Sequence, residues 1–379
     1  MPASPFYTED HDAFAQSVRT FVAREITPNV AAWEQAETLP RALHKQAAAV
    51  GLLGLGFPEH LGGFEGDTFH RILATRELAR AGSGGVLAGL MSHGIALPPV
   101  LALGSDELQA RIIPPVLAGD WVAALAVTEP SGGSDVANLT TTATLDGDIY
   151  VLRGEKVFIT SGIRADLITV AARTGGPGAG GVSLFAVQGN PDGLSRSPMH
   201  KMGWWCSDTA TLRFDDVRVP VSNRIGSEGM GFLGLMHNFN AERMGLAAVA
   251  WAFAQECIDE AVAWAQQRQT FGKPLISRQV IRHKIVDMQM RVEGVRCMME
   301  SVAWRIEQGE EPVADVCMLK NLATQTLEFV AGEAVQILGG AGYLRGTKSE
   351  RIFRESKVLS IGGGASEVLK DLAARQMGL

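Results

Sequence analysis

The sequence predicts an α+β chain in three successive parts: an N-terminal α-helical domain over 1–120, a middle antiparallel β domain over 121–226 and a C-terminal four-helix bundle over 227–379. Three observations carry this reading. Apolar residues recur at helical spacing in the first and last parts. Between them, short apolar or β-branched runs are split by Gly, Pro, Asn and Asp, the pattern of strands in a sandwich or barrel. The 379 residues, 46% hydrophobic and 20% charged, suffice for two or three globular domains.

In chain order, Thr8 is placed to cap a first helix. Glu9 and Asp10 fall in its first turn, and Phe14, Val18, Phe21 and Val22 follow at helical spacing. Gly51, Gly54, Gly56 and Pro58 interrupt, the turn-rich run 60–67 follows, and a helix is expected over 68–81. The stretch 81–104 lacks Lys, Arg, Asp and Glu, but it holds six glycines and Pro98-Pro99. A buried core helix followed by a turn is expected there, since a membrane span needs about 20 mostly apolar residues. Pro114-Pro115 and Gly119-Asp120 close the first part. Strands are expected at 121–127, 140–144, 149–152, 156–160, 167–171, 182–187 and 209–214, with 175–181 as a glycine-rich loop tip. Long helices then cover 232–269, 277–308 and a third run from Pro312 to Gly339-Gly340, with shorter ones at 349–357 and 366–376.

Lys and Arg total 34 against 41 Asp and Glu, a net charge of −7. That balance argues against a nucleic-acid binder, though local arginines can still hold an anionic small molecule. The four cysteines, at 206, 257, 297 and 317, form no CxxC pair, so no metal site or disulfide framework is expected. Free thiols fit a reducing, cytoplasmic compartment. Residues 1–10 lack the basic and apolar regions of a secretory leader. Gly54-Leu55-Gly56 has no third glycine and no strand-to-helix context, which disfavours a Rossmann site.

Four segments invite a chemical reading. Val127-Thr128-Glu129-Pro130-Ser131-Gly132-Gly133-Ser134-Asp135 runs from a strand into a loop whose hydroxyls and amides suit a flat polar ligand or an anion. Lys156 to Gly162 ends a strand, with Phe158 read on its own as buried core. Arg268-Gln269-Thr270-Phe271-Gly272-Lys273-Pro274 ends a helix. Gln336-Ile337-Leu338-Gly339-Gly340 is a helix stop in a tight glycine turn. Each alone is an ordinary structural feature. Together, and with Gly362-Gly363-Gly364-Ala365-Ser366-Glu367, their order and spacing resemble the acyl-CoA dehydrogenase family of flavoproteins over nearly the whole chain.

The resemblance implies FAD as cofactor. Leu125, Thr128, Ser134, Phe158 and Thr160 match positions that line the flavin, with Ser134 also near substrate. Phe158 stands where the family commonly has Trp, keeping the aromatic face without the indole N–H. Arg268, Phe271 and Gln279 match residues that reach a neighbouring subunit's cofactor. Gln336, Gly339 and Gly340 match a turn at its adenosine diphosphate end. Ala365, Ser366 and Glu367 match a further flavin segment. A homotetramer, a dimer of dimers, is therefore implied, with electron-transferring flavoprotein as the electron acceptor.

The family's best-known members carry a catalytic glutamate where this chain has Gly363. The isovaleryl-type and long-chain-type members instead place it on the first bundle helix, before an arginine. Phe239-Asn240-Ala241-Glu242-Arg243 matches that pattern. Glu242 is thus the expected base for the proton α to a thioester, with the β hydride passing to flavin N5. Gly363 keeps a backbone N–H able to polarise the carbonyl. Asn240 and Arg243 match coenzyme A contacts and, three apart, share a helix face. Glu242 and Arg243, being adjacent, are expected to point apart. Two alternatives are an oxygen-reactive oxidase or monooxygenase of the same fold and a catalytically silent acyl-CoA or flavin-binding scaffold.

Overall fold

A computed structural model describes residues 4–379; Met1–Ala3, part of the stretch read for a leader, and the side chain of His237 lie outside the described residues. The chain opens with α1 (Glu9–Phe21), α2 (Val30–Ala36), α3 (Ala42–Ala49), α4 (Thr68–Ala79), α5 (Gly84–Leu90), α6 (His93–Ala96), α7 (Pro98–Leu103) and α8 (Asp106–Leu117). Thr8 caps α1, and His11 Nδ1 accepts from the Thr8 N–H at 2.9 Å. Asp67 and His70 form the same box on α4. The two boxes interlock through His11 Nε2 to Asp67 at 3.0 Å and His70 Nε2 to Asp10 at 3.1 Å. These bonds account for the close approach of His11, Asp67 and His70.

One expectation in this part is corrected. The stretch 81–104 is three short helices, α5 to α7, and its first glycines sit under close packing. A Cβ at Gly84 would lie 2.0 Å from Trp204 Nε1, and one at Gly85 2.7 Å from Cys206 Sγ. Among the described residues no single helix is long and apolar enough to cross a membrane. Pro114 and Pro115 lie in the last turn of α8, which ends at Leu117. The lost N–H bonds are offset by burial of Ile112, Ile113, Val116 and Leu117 in the same turns.

The middle part holds β1 (Ala123–Ala126), β2 (Thr142–Asp146), β3 (Ile149–Thr160), β4 (Leu167–Arg173), β5 (Val182–Gln188), β6 (Leu194–Pro198), β7 (Thr209–Pro220) and β8 (Arg224–Ile225). Their order is β6-β7-β3-β2-β4-β5-β8, with β1 beside β4. Pairing is antiparallel except for β1–β4 and the single Thr142–Arg173 contact of β2 with β4. Tyr150, Leu152, Val170, Phe185, Leu212 and Phe214 fill the interior. The strands expected at 149–152 and 156–160 are one strand. Gly154, at φ +145°, carries β3 past Thr141, whose Oγ1 would lie 2.5 Å from a Cβ there, so this glycine marks a bulge and not a turn. β6 was not anticipated: Ser195, Arg196 and Ser197 give no apolar alternation, and it pairs only with β7.

The last part holds α9 (Gly231–Gln267), a hairpin of β9 (Gln269–Thr270) and β10 (Lys273–Pro274), α10 (Gln279–Glu307), α11 (Val313–Leu338), α12 (Lys348–Ile361) and α13 (Ser366–Gln376). At one end of the bundle α12 starts against α9, with Lys348 Nζ 2.6 Å from Glu256, and Lys284 of α10 pairs with Glu333 of α11. The other end gathers the N-terminal halves of α9 and α11 and the loop after α12. Val18, Phe21, Leu78, Phe253, Met288 and Leu327 share one core, so the helices of the first and last parts pack together. A second core joins Ile112, Leu167, Leu184 and Leu235, tying α8, β4, β5 and α9. The start of α9 thus lies where all three parts meet.

Candidate active site

Glu242 and Arg243 stand on α9 facing the turn 362–364 that follows α12. Gly363 has φ +64° and Gly364 φ +103°, backbone that side chains rarely adopt. A Cβ built on Gly363 would lie 2.4 Å from Leu246 Cδ1 and 3.6 Å from Glu242 Oε1. The half-buried carboxylate of Glu242 therefore sits in the space that a side chain at 363 would enter. Burial raises its pKa, opposed by the positive charges of Arg243 and Lys320.

Arg243 is buried and its Nε donates to the Gly363 carbonyl at 3.3 Å. Its Nη1 donates to Asn240 Oδ1 at 3.0 Å, so these two do share a face. The expectation that Glu242 and Arg243 point apart is corrected: both reach the same glycine. Adjacent helical side chains manage this because the turn offers its Cα side to one and its carbonyl to the other.

A second group of matched residues gathers where the sheet meets the helices. Leu125 lies on β1 and Thr128 in the loop beyond it, while Phe158 and Thr160 end β3. The Val157 N–H donates to Thr128 O at 2.9 Å, which sets the two segments side by side. The strand bulges between Lys156 and Ile159, and Phe158 has φ +61° and is 66% exposed. Its reading as buried core is corrected: the bulge turns the ring outward. Strained backbone presenting an aromatic ring beside exposed Ser131 and Ser134 hydroxyls suits a flat polar ring system.

Behind this face lies a buried pair that the sequence reading passed over. Lys156 Nζ donates to Glu129 Oε1 at 2.8 Å and to Val127 O at 2.9 Å. Glu129 also accepts from the Thr140 and Thr141 amides at 2.6 and 2.8 Å. The Lys156 charge and these donors overcome burial and lower Glu129 to about 2. Two opposite charges inside otherwise apolar strand ends were the available signal.

Arg268, Phe271, Gln279, Gln336, Gly339 and Gly340 are all exposed, at the other end of the bundle. Arg268 is 26 residues beyond Glu242, about 39 Å along a helix. Phe271 is 96% exposed, and the space at Gly339 and Gly340 is open to a Cβ. An exposed guanidinium with bare backbone nearby suits a diphosphate. The structure thus brings Asn240, Glu242, Arg243 and Gly363 together at one end, with the Ala365-Ser366-Glu367 segment following directly. It does not bring the second set to them within one chain.

Lys320 was also missed. It falls on the buried stripe of α11 with Val316, Ala323 and Leu327, and its Nζ donates to Gly364 O at 2.9 Å. A lysine on an apolar stripe was the signal. The Trp205 ring packs against the guanidinium groups of Arg345 and Arg354, at 4.5 and 4.1 Å.

Comparisons with known proteins agree along the whole length. The chain matches the acyl-CoA dehydrogenase N-terminal domain over residues 8–120, the middle domain over 124–217 and the C-terminal domain over 229–378. It is 34% identical over 375 residues to the mitochondrial long-chain specific acyl-CoA dehydrogenase of Sus scrofa, covering 98% of this chain and 87% of that protein. A probable acyl CoA dehydrogenase from Mycobacterium abscessus superposes with a TM-score of 0.97 at 49% identity, covering 98% and 100% of the two chains. A chain from a structure of the electron transferring flavoprotein of Acidaminococcus fermentans superposes at 0.94 with 31% identity, covering 99% of each. The chain belongs to the acyl-CoA dehydrogenase family, an oxidoreductase family of flavoproteins.

Proposed function

We infer that this protein is an FAD-dependent dehydrogenase of acyl-CoA thioesters in which Glu242 removes the α proton. The observation that carries this is the placement of the Glu242 carboxylate in the space that a side chain at Gly363 would enter, 3.6 Å from the Cβ position. A base must approach the α carbon from one side while the cofactor takes the other. The exposed ring of Phe158 and the hydroxyl loop at Ser131–Ser134 would hold the flavin. FAD, when bound, supplies the acceptor for the hydride that leaves the β carbon as the proton leaves the α carbon. Electrons would then pass to electron-transferring flavoprotein.

The residues of this chain supply the rest. Burial raises the pKa of Glu242 and makes it a better match for a weakly acidic C–H. The Gly363 N–H makes no hydrogen bond to another described residue, so it is free to donate to the thioester oxygen as negative charge develops there. Arg243, spent on Gly363 O and Asn240, holds the turn; in this role it is no longer a simple clamp for coenzyme A.

The separation of the two cofactor-matching sets supports assembly. A second copy would bring its Arg268, Phe271 and Gln336 to the first copy's cofactor, which is the logic of a dimer of dimers. Val280, Val286 and Met290, exposed on α10, would be covered in that arrangement. Four free thiols, three of them buried, fit a reducing cytoplasm.

The test is a panel of acyl-CoA thioesters scored anaerobically by loss of flavin absorbance. At least one should bleach the flavin within seconds, and air should restore the colour slowly. A protein that no thioester bleaches refutes dehydrogenation, and rapid recovery in air assigns an oxidase.

A further inference from the structure

We propose that Lys320 is a positioning residue of this active centre: from α11 it pins the 362–364 turn by the Gly364 carbonyl and sets a positive charge facing Glu242. The proposal rests on the reading of Glu242 as the base.

Lys320 is fully buried, and no carboxylate lies within 4.0 Å of its Nζ among the described residues. Its one hydrogen-bond acceptor is Gly364 O, at 2.9 Å, for an ammonium with three donors. A buried cation without a contact ion pair is expensive, and a Met or Leu would fill the same stripe at less cost. Packing therefore does not explain a lysine here.

The turn does. Gly363 and Gly364 have no side chains with which to fix their own left-handed backbone. It is instead held from outside by its carbonyls, Gly363 O by Arg243 and Gly364 O by Lys320, while Ser366 O at the start of α13 is held by Asn321 at 3.0 Å. All three anchors take carbonyls, which leaves the Gly363 N–H open. Two of the three come from neighbouring positions on α11, so this helix sets the height of the turn above Glu242.

The charge has a second effect. The charged and titratable groups facing Lys320 are Glu242 and Arg243 from α9, Cys317 from its own helix and Glu367 from α13. Burial pushes Lys320 down to about 8, while Glu242 acts to hold its proton on. Reciprocally, Lys320 works against the burial that raises Glu242. Removing the Lys320 charge leaves Glu242 protonated to a higher pH. The acid limb of the rate profile must then move to higher pH.

The experiment compares Lys320→Met, Lys320→Gln, Lys320→Arg and Asn321→Ala with the wild-type holoprotein. Flavin reduction by the best thioester is measured against pH. Lys320→Met should shift the acid limb upward by roughly one pH unit, about a tenfold loss on its acid side. Lys320→Gln, which keeps a donor for Gly364 O but no charge, should show the same shift even if Lys320→Met folds poorly. Lys320→Arg should return the limb to its wild-type pH. Asn321→Ala should slow the reaction without moving the limb. A limb that stays in place in both the Met and Gln variants overturns the proposal. A second readout needs no substrate: melting temperatures of Glu242→Gln, Lys320→Gln and the double variant across pH. Non-additive shifts are expected, and strict additivity overturns the pairing. If no thioester bleaches the wild type, the proposed function fails while the melts still decide whether Lys320 and Glu242 act on each other.

Discussion

Gly363→Ala isolates why the proposed base, Glu242, stands on α9. The added Cβ would lie 2.4 Å from Leu246 Cδ1, on backbone at φ +64°. The left-handed conformation costs an Ala about 1–2 kcal/mol. Overpacking against Leu246 adds about 1–3 kcal/mol if that side chain cannot rotate away. The turn should thus lose about 2–5 kcal/mol in total. Leu246→Ala removes the clash and leaves only the backbone cost, so Gly363→Ala should be milder in that background. Hydrogen exchange is the assay, because it reads local opening. The Gly362 and Leu369 amides flank the turn and are bonded to Val358 O and Ala365 O. A loss of 2 kcal/mol should speed their exchange roughly 30-fold. Wild-type exchange in Gly363→Ala, with no change on adding Leu246→Ala, would refute the argument that this turn excludes side chains. By the same reasoning Gly363→Glu should not rescue Glu242→Gln.

Glu242→Gln should keep the fold and FAD yet reduce the flavin at least ~100-fold more slowly, while Glu367→Gln matters far less; the opposite ranking in stopped-flow traces would show the base to be misassigned. The same variant carries a stability prediction. A carboxyl whose folded pKa is raised contributes stability below its unfolded pKa and loses it as pH rises through the folded value. Wild type should therefore melt progressively lower relative to Glu242→Gln as pH climbs above the ordinary carboxylate range. Arg268→Ala should loosen FAD and subunit assembly together; light scattering that finds a monomer holding full FAD would count against the shared cofactor site.

Much of this molecule could be read before it was folded. The three-part layout followed from the change of period at Trp121 and its return near Gly231, because burial imposes period 2 on strands and 3.6 on helices. The Thr8 cap was legible because capping is a local exchange of hydrogen bonds. The departure at Gly363 and the Glu242-Arg243 pair were legible as sequence, since a missing carboxylate needs no geometry to be noticed. Other features depended on what lay across the chain. Gly154 resembled a strand break until Thr141 was seen beside it. Phe158 pointed outward only because β3 bulges against β7. Lys320 and Gly364 are 44 residues apart, and Lys156 and Glu129 are 27 apart. Local sequence determines which element a residue enters, because propensity and periodicity act over one or two turns. Which buried charge meets which carbonyl is decided by packing between distant elements, and only the tertiary structure holds that information.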